Sequence, residues 1–157
     1  MQEMIRRHAQ PGRLEAILLR TARRAEMSTV ASVSTGPRGL EGDHGSSEKR
    51  AVTLIQAEHL AVIGSMLGTG PVAASVLRRN LVVSGLNLAA LRGRRLRIGG
   101  AELEMTGICA PCSRMEEAFG PGGYSAVRGL GGMCARVLTP GRLTVGDSVA
   151  PLQDSGH

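Results

Sequence analysis

Residues 94–105 read RRLRIGGAELEM, and their pattern is the clearest indication of the fold. Apolar side chains alternate with charged ones on both sides of Gly99-Gly100, with Leu96 and Ile98 before the glycines and Leu103 after them. An alternation with a period of two places one face of a strand against a core. Two such runs joined by a two-residue glycine turn are typical of a β-hairpin. The stretch therefore predicts two antiparallel strands that share one buried face.

The chain on both sides of this hairpin adds short strands and short helices. Strands are predicted at Arg13–Arg20, Ala51–Ile55 and Leu81–Val83, in a second hairpin of Met133–Leu138 with Arg142–Val145, and in a last run after Gly146-Asp147. Helices are predicted over Gln56–Met66, after Pro71 and from Ser113, with one helical turn in Leu86–Leu91. Because strands and helices do not alternate regularly, the pattern favours a mainly β fold: a bent antiparallel β-barrel of six or seven strands with about three short helices.

Residues 21–50 lack a clear period and are rich in Ser, Thr, Gly and charged side chains. A structureless loop of this length is uncommon inside a compact domain. We interpret the segment as a binding or lid segment.

The length of 157 residues favours a single domain. We expect a polar leader over residues 1–12, one domain over residues 13–152 and a tail over residues 153–157. No apolar run approaches the roughly 20 residues of a membrane-spanning helix, and the basic start lacks the apolar centre of a secretory signal. These observations predict a cytoplasmic protein without a membrane partner.

Charge and aromatic content narrow the class of ligand. The net charge is +6, and Lys49 is the only lysine, so the positive charge is almost all arginine. Arginine binds phosphate and carboxylate groups with paired hydrogen bonds, which favours an anionic ligand, although arginines encoded by a GC-rich genome can equally be solvated surface groups. Scattered arginines, with only Tyr124 and Phe119 as aromatic residues, argue against specific nucleic-acid binding.

The stretch TGICAPCSRMEE, residues 106–117, carries the most chemical information. Ser113 and Glu116 have the spacing of a capping box, which predicts that a helix starts at Ser113. Cys112 then lies immediately before a helix N-terminus, where the helix dipole and the nearby Arg114 favour the thiolate. A thiolate is the form that binds a soft metal or attacks sulfur.

Three other interpretations of this cysteine motif stay open. Cys109 and Cys112 have the spacing of half a zinc site, but Cys134, His44 and His59 do not supply a second pair at ligand spacing. The motif is also compatible with a dithiol redox site, although the βαβ context of such sites is missing. Finally, the cysteines can be inert core residues.

Five stretches of the sequence follow one another in a recognisable order: GLEGDHG (39–45), KRAVTLIQAEHL (49–60), RRNLVVSGLNL (78–88), residues 96–138 and the closing GDSV (146–149). In these stretches the sequence resembles the MOSC domain family, named for the C-terminal domain of molybdenum cofactor sulfurases, in its small stand-alone bacterial form.

The resemblance implies a β-barrel whose reactive cysteine maps onto Cys112, as a molybdenum ligand or as a sulfur carrier. Cys109 is the second choice, and Cys134 is given no catalytic role. The implied cofactor is molybdenum-molybdopterin, an anionic pterin. Relatives that reduce N-hydroxylated bases and amidoximes receive electrons from partner proteins. Pyridoxal phosphate is not expected in this chain, because the desulfurase domain that binds it in the sulfurases is absent.

The resemblance also suggests residues that hold the cofactor. Arg78, Arg79 and Asn80 form the family's R-R-N motif and are candidates for phosphate or pterin binding, although Asn80 can instead cap a helix. Glycines of the 120–132 loop, Gly122 and Gly123 among them, allow a flat ligand to approach the backbone, or they simply make a mobile loop. Three further candidates are Arg114 beside the cysteine, Asp43 to orient a cofactor group or cap a turn, and His44 to shuttle a proton or fill a structural role.

Three functional hypotheses follow. The leading one is a molybdenum-cofactor-binding reductase of N-hydroxylated compounds, with Cys112 as metal ligand and an electron-donor protein as partner. The second is a persulfide carrier in which Cys112 receives sulfur from a cysteine desulfurase and delivers it to a cofactor or metal cluster. The third is a non-catalytic module that carries the pterin.

Overall fold

The computed structural model describes residue 4 and residues 7–22, 25–44, 51–109 and 113–153. Its strands are β1 (Gly12–Arg20), β2 (Met27–Val30), β3 (Ser32–Gly36), β4 (Gly39–Leu40), β5 (Val52–Gln56), β6 (Leu81–Ser84), β7 (Arg95–Ile98), β8 (Ala101–Ile108), β9 (Met133–Thr139), β10 (Arg142–Thr144) and β11 (Ser148–Pro151). The helices within residues 51–153 are α1 (Ala57–Leu67), α2 (Ala74–Leu77), α3 (Ser113–Phe119) and α4 (Gly123–Val127), with a 3-10 turn at Leu88–Leu91.

Within the described part of the chain, seven strands close into a barrel in the order β1-β6-β5-β9-β8-β7-β11, and β11 pairs back onto β1. All neighbours are antiparallel except β5 and β6, which are parallel because α1 and α2 form the crossover that a parallel pair needs. The prediction of a mainly antiparallel barrel is confirmed, and the structure adds this one parallel pair.

The β7–β8 hairpin forms where the sequence predicts it. Ile98 pairs with Ala101, so Gly99 and Gly100 make the two-residue turn, and Gly99 has a φ of +54°. Along β8 the side chains at Ala101, Leu103 and Met105 are buried while the intervening residues are partly exposed. This alternation directs one face of the hairpin into the barrel.

Aliphatic side chains fill the barrel interior, and a second apolar cluster lies between the barrel and its helices. Interior residues with no exposed surface include Leu14, Leu54, Leu81, Leu91, Leu96 and Leu103. The second cluster joins Ile55 and Val82 of the barrel to Ile63 of α1, Leu77 of α2, Met115 of α3 and Val127 of α4. The helices therefore lie on one side of the barrel, and the shared cluster places α2, α3 and α4 next to one another.

Residues 21–50, which we interpret as a binding or lid segment, contain strands: β2 pairs with β1, and β3 pairs with β4. Their role as a binding or lid segment stays a prediction. The predicted hairpin of Met133–Leu138 with Arg142–Val145 is wrong, because β10 pairs with β3 and places Arg142 opposite Ser34. The chain turns away from β9 because residues 141 and 142 pass over the β7–β8 turn, where the Gly100 amide donates to the Arg142 carbonyl oxygen at 3.1 Å.

The longest helix described is α1, with 11 residues. A membrane-spanning helix needs about 20 apolar residues. Among the described residues, no helix is both long and apolar enough to cross a membrane.

Candidate functional site

A buried polar side chain, Asn80, lies between α2 and β6 and joins three parts of the barrel. It has no exposed surface. Its Oδ1 accepts hydrogen bonds from the Thr53 amide at 3.0 Å and the Thr53 hydroxyl at 3.2 Å, and its Nδ2 donates to the Leu18 carbonyl oxygen at 3.0 Å and to Asp43 Oδ1 at 3.1 Å. Because these protein groups occupy the amide, Asn80 positions β1, β5 and Asp43 from within the fold. Direct contact of Asn80 with a ligand stays a prediction.

Asp43 forms an ion pair with Arg20, at the end of β1. Arg20 Nη2 donates to Asp43 Oδ2 at 2.8 Å, and the Arg20 Nε and backbone amide both donate to Oδ1, at 3.2 and 2.7 Å. The Asp43 side chain is 1% exposed and that of Arg20 is 18% exposed. With these bonds and the Asn80 bond, both oxygens of the carboxylate are fixed in direction.

Arg78 ends α2 and interacts electrostatically with both members of this pair. Its backbone adopts the left-handed conformation with a φ of 58°, which ends the helix and redirects the chain into β6. The guanidinium donates to the carbonyl oxygens of Ala25 and, at 3.1 Å, of Ala22. Burial lowers the pKa of Arg78, the positive charges of Arg20 and Arg114 lower it further, and Asp43 acts in the opposite direction.

Three open hollows surround these groups. One of about 340 Å³ is lined by Arg78, Arg114 and Glu117 together with Val76 and Met115. A second, of about 400 Å³, lies between residues 25–27 and Arg78 and includes Glu26. A third, of about 660 Å³, is lined by residues 35–41, Asp43 and the exposed His44. Arg78 borders the first two hollows and Asp43 the third, so the network lies between the possible ligand positions.

Arg79 does not join this network, although it is adjacent to Arg78 in the sequence. Its Nε donates to the Gly131 carbonyl oxygen at 2.5 Å. The next carbonyl oxygen, of Gly132, accepts from the Cys109 amide at 2.9 Å. Arg79 therefore ties the loop before β9 to the end of β8, close to the cysteine motif.

The cysteines separate into two groups. Cys112, the predicted reactive residue, lies outside the described residues. Cys109 and Cys134 are both buried, and their Sγ atoms are 2.9 Å apart. The second candidate for the reactive cysteine thus faces another cysteine of the barrel wall.

Gly122 and Gly123 shape the contact between α3 and α4. Gly122 has a φ of +92°, and a Cβ atom on Gly123 would lie 2.3 Å from the Met115 carbonyl oxygen. Glu116 accepts hydrogen bonds from the amides of Gly122 and Tyr124, at 3.2 and 3.0 Å, so its carboxylate caps α4. Helix α3 does begin at Ser113, as predicted. Both glycines have a packing role here, and their contact with a cofactor stays a prediction.

Sequence reasoning missed Arg20, Thr53 and the contact of Cys134. Arg20 is the last residue of a predicted strand, and nothing in the local pattern indicates that Asp43, 23 residues later, binds it. Thr53 lies inside an apolar strand, AVTLI, whose one polar residue is the available signal.

The chemistry of this site fits an anion. After burial, which is the largest cause, the charges of Arg20 and Arg114 lower the pKa of Arg78, whereas Asp43 raises it. An anionic group bound beside Arg78 and Arg114 relieves this repulsion and accepts charge-assisted hydrogen bonds. Within the described residues, no three His, Cys, Asp or Glu side chains are grouped closely enough to hold a metal ion by themselves.

Comparisons with known proteins give the same fold and one family. A family model described as "MOSC domain" matches residues 41–150. No protein of curated function matches the chain. The YuaD protein from Bacillus subtilis has a TM-score of 0.81 and 18% identity over 92% of this chain and 98% of that one. YiiM from Geobacillus stearothermophilus has a TM-score of 0.74 and 21% identity, covering 91% and 76% of the two chains, and YiiM from Escherichia coli has 0.71 and 19%, covering 92% and 72%. At these identities the solved structures show the fold alone.

Proposed function

The chain belongs to the MOSC domain family, which is associated with molybdenum cofactor binding, and we propose that it binds molybdenum-molybdopterin and reduces N-hydroxylated compounds. The observation that carries the proposal is the group of three arginines at one side of the barrel. Burial, and after it the positive charges of Arg20 and Arg114, lower the pKa of Arg78, and such a group of cations favours an anionic ligand such as the phosphate of a pterin.

The residues of the site divide into those that hold a ligand and those that position the holders. Arg78 and Arg114 line the same hollow and are the proposed anchors for the anionic end of the pterin. Arg20 and Asp43 form the ion pair of the neighbouring network, and the buried Asn80 binds Asp43. The exposed His44 follows Asp43 in the sequence and is a candidate to exchange a proton with substrate.

Cys112 is the proposed metal ligand, because a thiolate suits a soft transition metal. Because Cys112 directly precedes Ser113 of α3 in the sequence and Arg114 follows it by two residues, we expect the ionised form of its thiol to be favoured. When bound, the cofactor supplies a redox-active molybdenum, and an electron-donor protein must supply the reducing equivalents.

Cofactor content of the purified protein tests this proposal. We expect protein from a molybdenum-replete host to contain molybdenum and pterin in equal amounts, and Cys112→Ala to lose the molybdenum. Cys134→Ala is the matched control, because it removes a thiol that the proposal does not place on the metal. Native protein without molybdenum, or equal molybdenum in wild type and Cys112→Ala, would contradict the proposal.

The same preparation separates the finer alternatives. A reductase turns over hydroxylaminopurines when a competent electron donor is added, whereas a non-catalytic pterin carrier retains the cofactor without turnover. A sulfur carrier instead gains the mass of one sulfur atom on Cys112 after incubation with a cysteine desulfurase and cysteine.

A further inference from the structure

Cys109 and Cys134 form a buried thiol pair where β8 and β9 end beside each other. Beyond the bulge in β8, Gly107 pairs with Cys134 and Ile108 with Met133, so Cys109 comes opposite Gly132. Cys109 and Cys134 are therefore diagonal neighbours on the same face of two adjacent strands. Their Sγ atoms are 2.9 Å apart, and the side chains are 5% and 8% exposed.

We propose that this pair is an oxidisable site that forms a reversible disulfide between β8 and β9. The sulfur atoms already lie closer together than the roughly 3.5–4.0 Å of ordinary non-bonded carbon contacts. Because only a small part of each cysteine side chain is exposed, we expect a small oxidant to reach the sulfur atoms more readily than a large one. The inference does not depend on the proposed cofactor, because it concerns two residues of the barrel wall.

The chemistry balances with a peroxide as the oxidant. One thiolate attacks a peroxide oxygen, which forms a sulfenic acid and releases the other oxygen as water. The second thiol then attacks the sulfenic sulfur, forms the S–S bond and expels a second water. The two thiols together lose two electrons and two protons, and one hydrogen peroxide becomes two waters. A dithiol such as dithiothreitol reverses the step by exchange.

The position of the pair connects its redox state to the candidate site. Cys109 precedes Cys112 by three residues, so a cross-link fixes the strand end from which the reactive segment starts. Cys134 pairs across the sheet with Thr53, and Thr53 donates to the Asn80 amide oxygen. Oxidation therefore stiffens the barrel wall between the cysteine motif and the Asn80–Asp43–Arg20 network.

Peptide mapping after treatment of the folded protein with hydrogen peroxide tests the proposal. Trypsin places Cys109 and Cys112 on residues 98–114 and Cys134 on residues 129–136. We expect Cys112→Ala to lose the mass of two hydrogen atoms and to give these two peptides as one cross-linked species, which dithiothreitol separates. Wild type should give a cross-link between the corresponding two peptides. Cys109→Ala, whose folding is checked by circular dichroism, should not give it.

Two results would overturn the inference. In the first, the two thiols of folded Cys112→Ala stay fully open to alkylation after peroxide treatment and unfolding. In the second, wild type gives Cys109–Cys112, within one peptide, as its main disulfide. A cross-link that forms in folded protein and also raises the melting temperature of Cys112→Ala supports both the site and its stiffening effect.

Discussion

Two of the arginine–carboxylate pairs on this barrel, Arg20–Asp43 and Arg97–Glu102, differ in burial. Arg20 and Asp43 are 18% and 1% exposed, whereas Arg97 and Glu102, beside the β7–β8 turn, are 51% and 21% exposed. The exposed pair is the shorter one, at 2.6 Å against 2.8 Å. Distance alone therefore does not identify a functional pair. What separates the two is that Asp43 also binds Asn80, so the inner pair belongs to a buried hydrogen-bond network.

The largest expected effect is the loss of Asn80. Asn80→Ala leaves the Thr53 amide and the Leu18 carbonyl oxygen without their side-chain partner in a fully buried place. We expect this loss to lower the free energy of unfolding by about 3–5 kcal/mol. Asn87→Ala is the matched control, because Asn87 is exposed and makes no capping bond; its effect should be below about 0.5 kcal/mol. Urea denaturation measures both. Equal effects of the two variants would contradict a stabilising role of the buried Asn80 network.

Arg20→Ala should come next, because it leaves Asp43 as a buried carboxylate without its cation. Breaking a buried pair costs about 3 kcal/mol, whereas an exposed pair such as Arg97–Glu102 contributes about 0–1 kcal/mol. Double-mutant cycles over Arg20/Asp43 and Arg97/Glu102 compare the two coupling energies directly. A coupling energy for the outer pair as large as that for the inner pair would contradict the comparison.

Gly123→Ala tests whether the glycines between α3 and α4 serve packing. The added Cβ meets the Met115 carbonyl oxygen at 2.3 Å, and we expect destabilisation of about 1–3 kcal/mol. Gly36→Ala is the control, since a Cβ there has no heavy atom within 4 Å. Thermal melting measures the difference, and a Gly123→Ala variant as stable as Gly36→Ala would show that the helices separate easily.

The smallest effect concerns pH and the cap on α4. Hydrogen bonds from the amides of Tyr124 and Gly122 lower the pKa of Glu116 in the folded protein. Since the folded value lies below the unfolded one, the stabilising effect is present above the ordinary glutamate pKa and is lost as the pH falls through the folded value. Wild type should melt higher than Glu116→Gln near pH 7, and the difference should shrink on acidification. Glu117→Gln is the control, and a difference that grows in acid would contradict the cap.

The sequence predicts local structure well and contacts between distant parts of the chain poorly. The β7–β8 hairpin could be predicted because its alternation and its Gly99-Gly100 turn are contained in twelve residues. The pairing of β10 with β3 could not, because Arg142 and Ser34 are more than a hundred residues apart and their segments carry no pattern that names the partner. The same limit applies to the site. Asp43, Asn80 and Arg78 stand out by residue type, whereas Arg20 becomes part of the site only when β1 and residues 41–44 meet in space.

The content of bound pterin in two double variants tests whether Arg78 and Arg114 form an anion site. Arg78→Ala/Arg114→Ala removes the two arginines that line the candidate ligand hollow, and Arg97→Ala/Arg136→Ala removes two arginines that pair with Glu102 and Glu104. Both variants lose the same charge. We expect pterin, measured by fluorescence after oxidation and release, to fall at least tenfold in the first variant and to stay at the wild-type level in the second. Equal pterin in the two variants would contradict an anion site at Arg78 and Arg114.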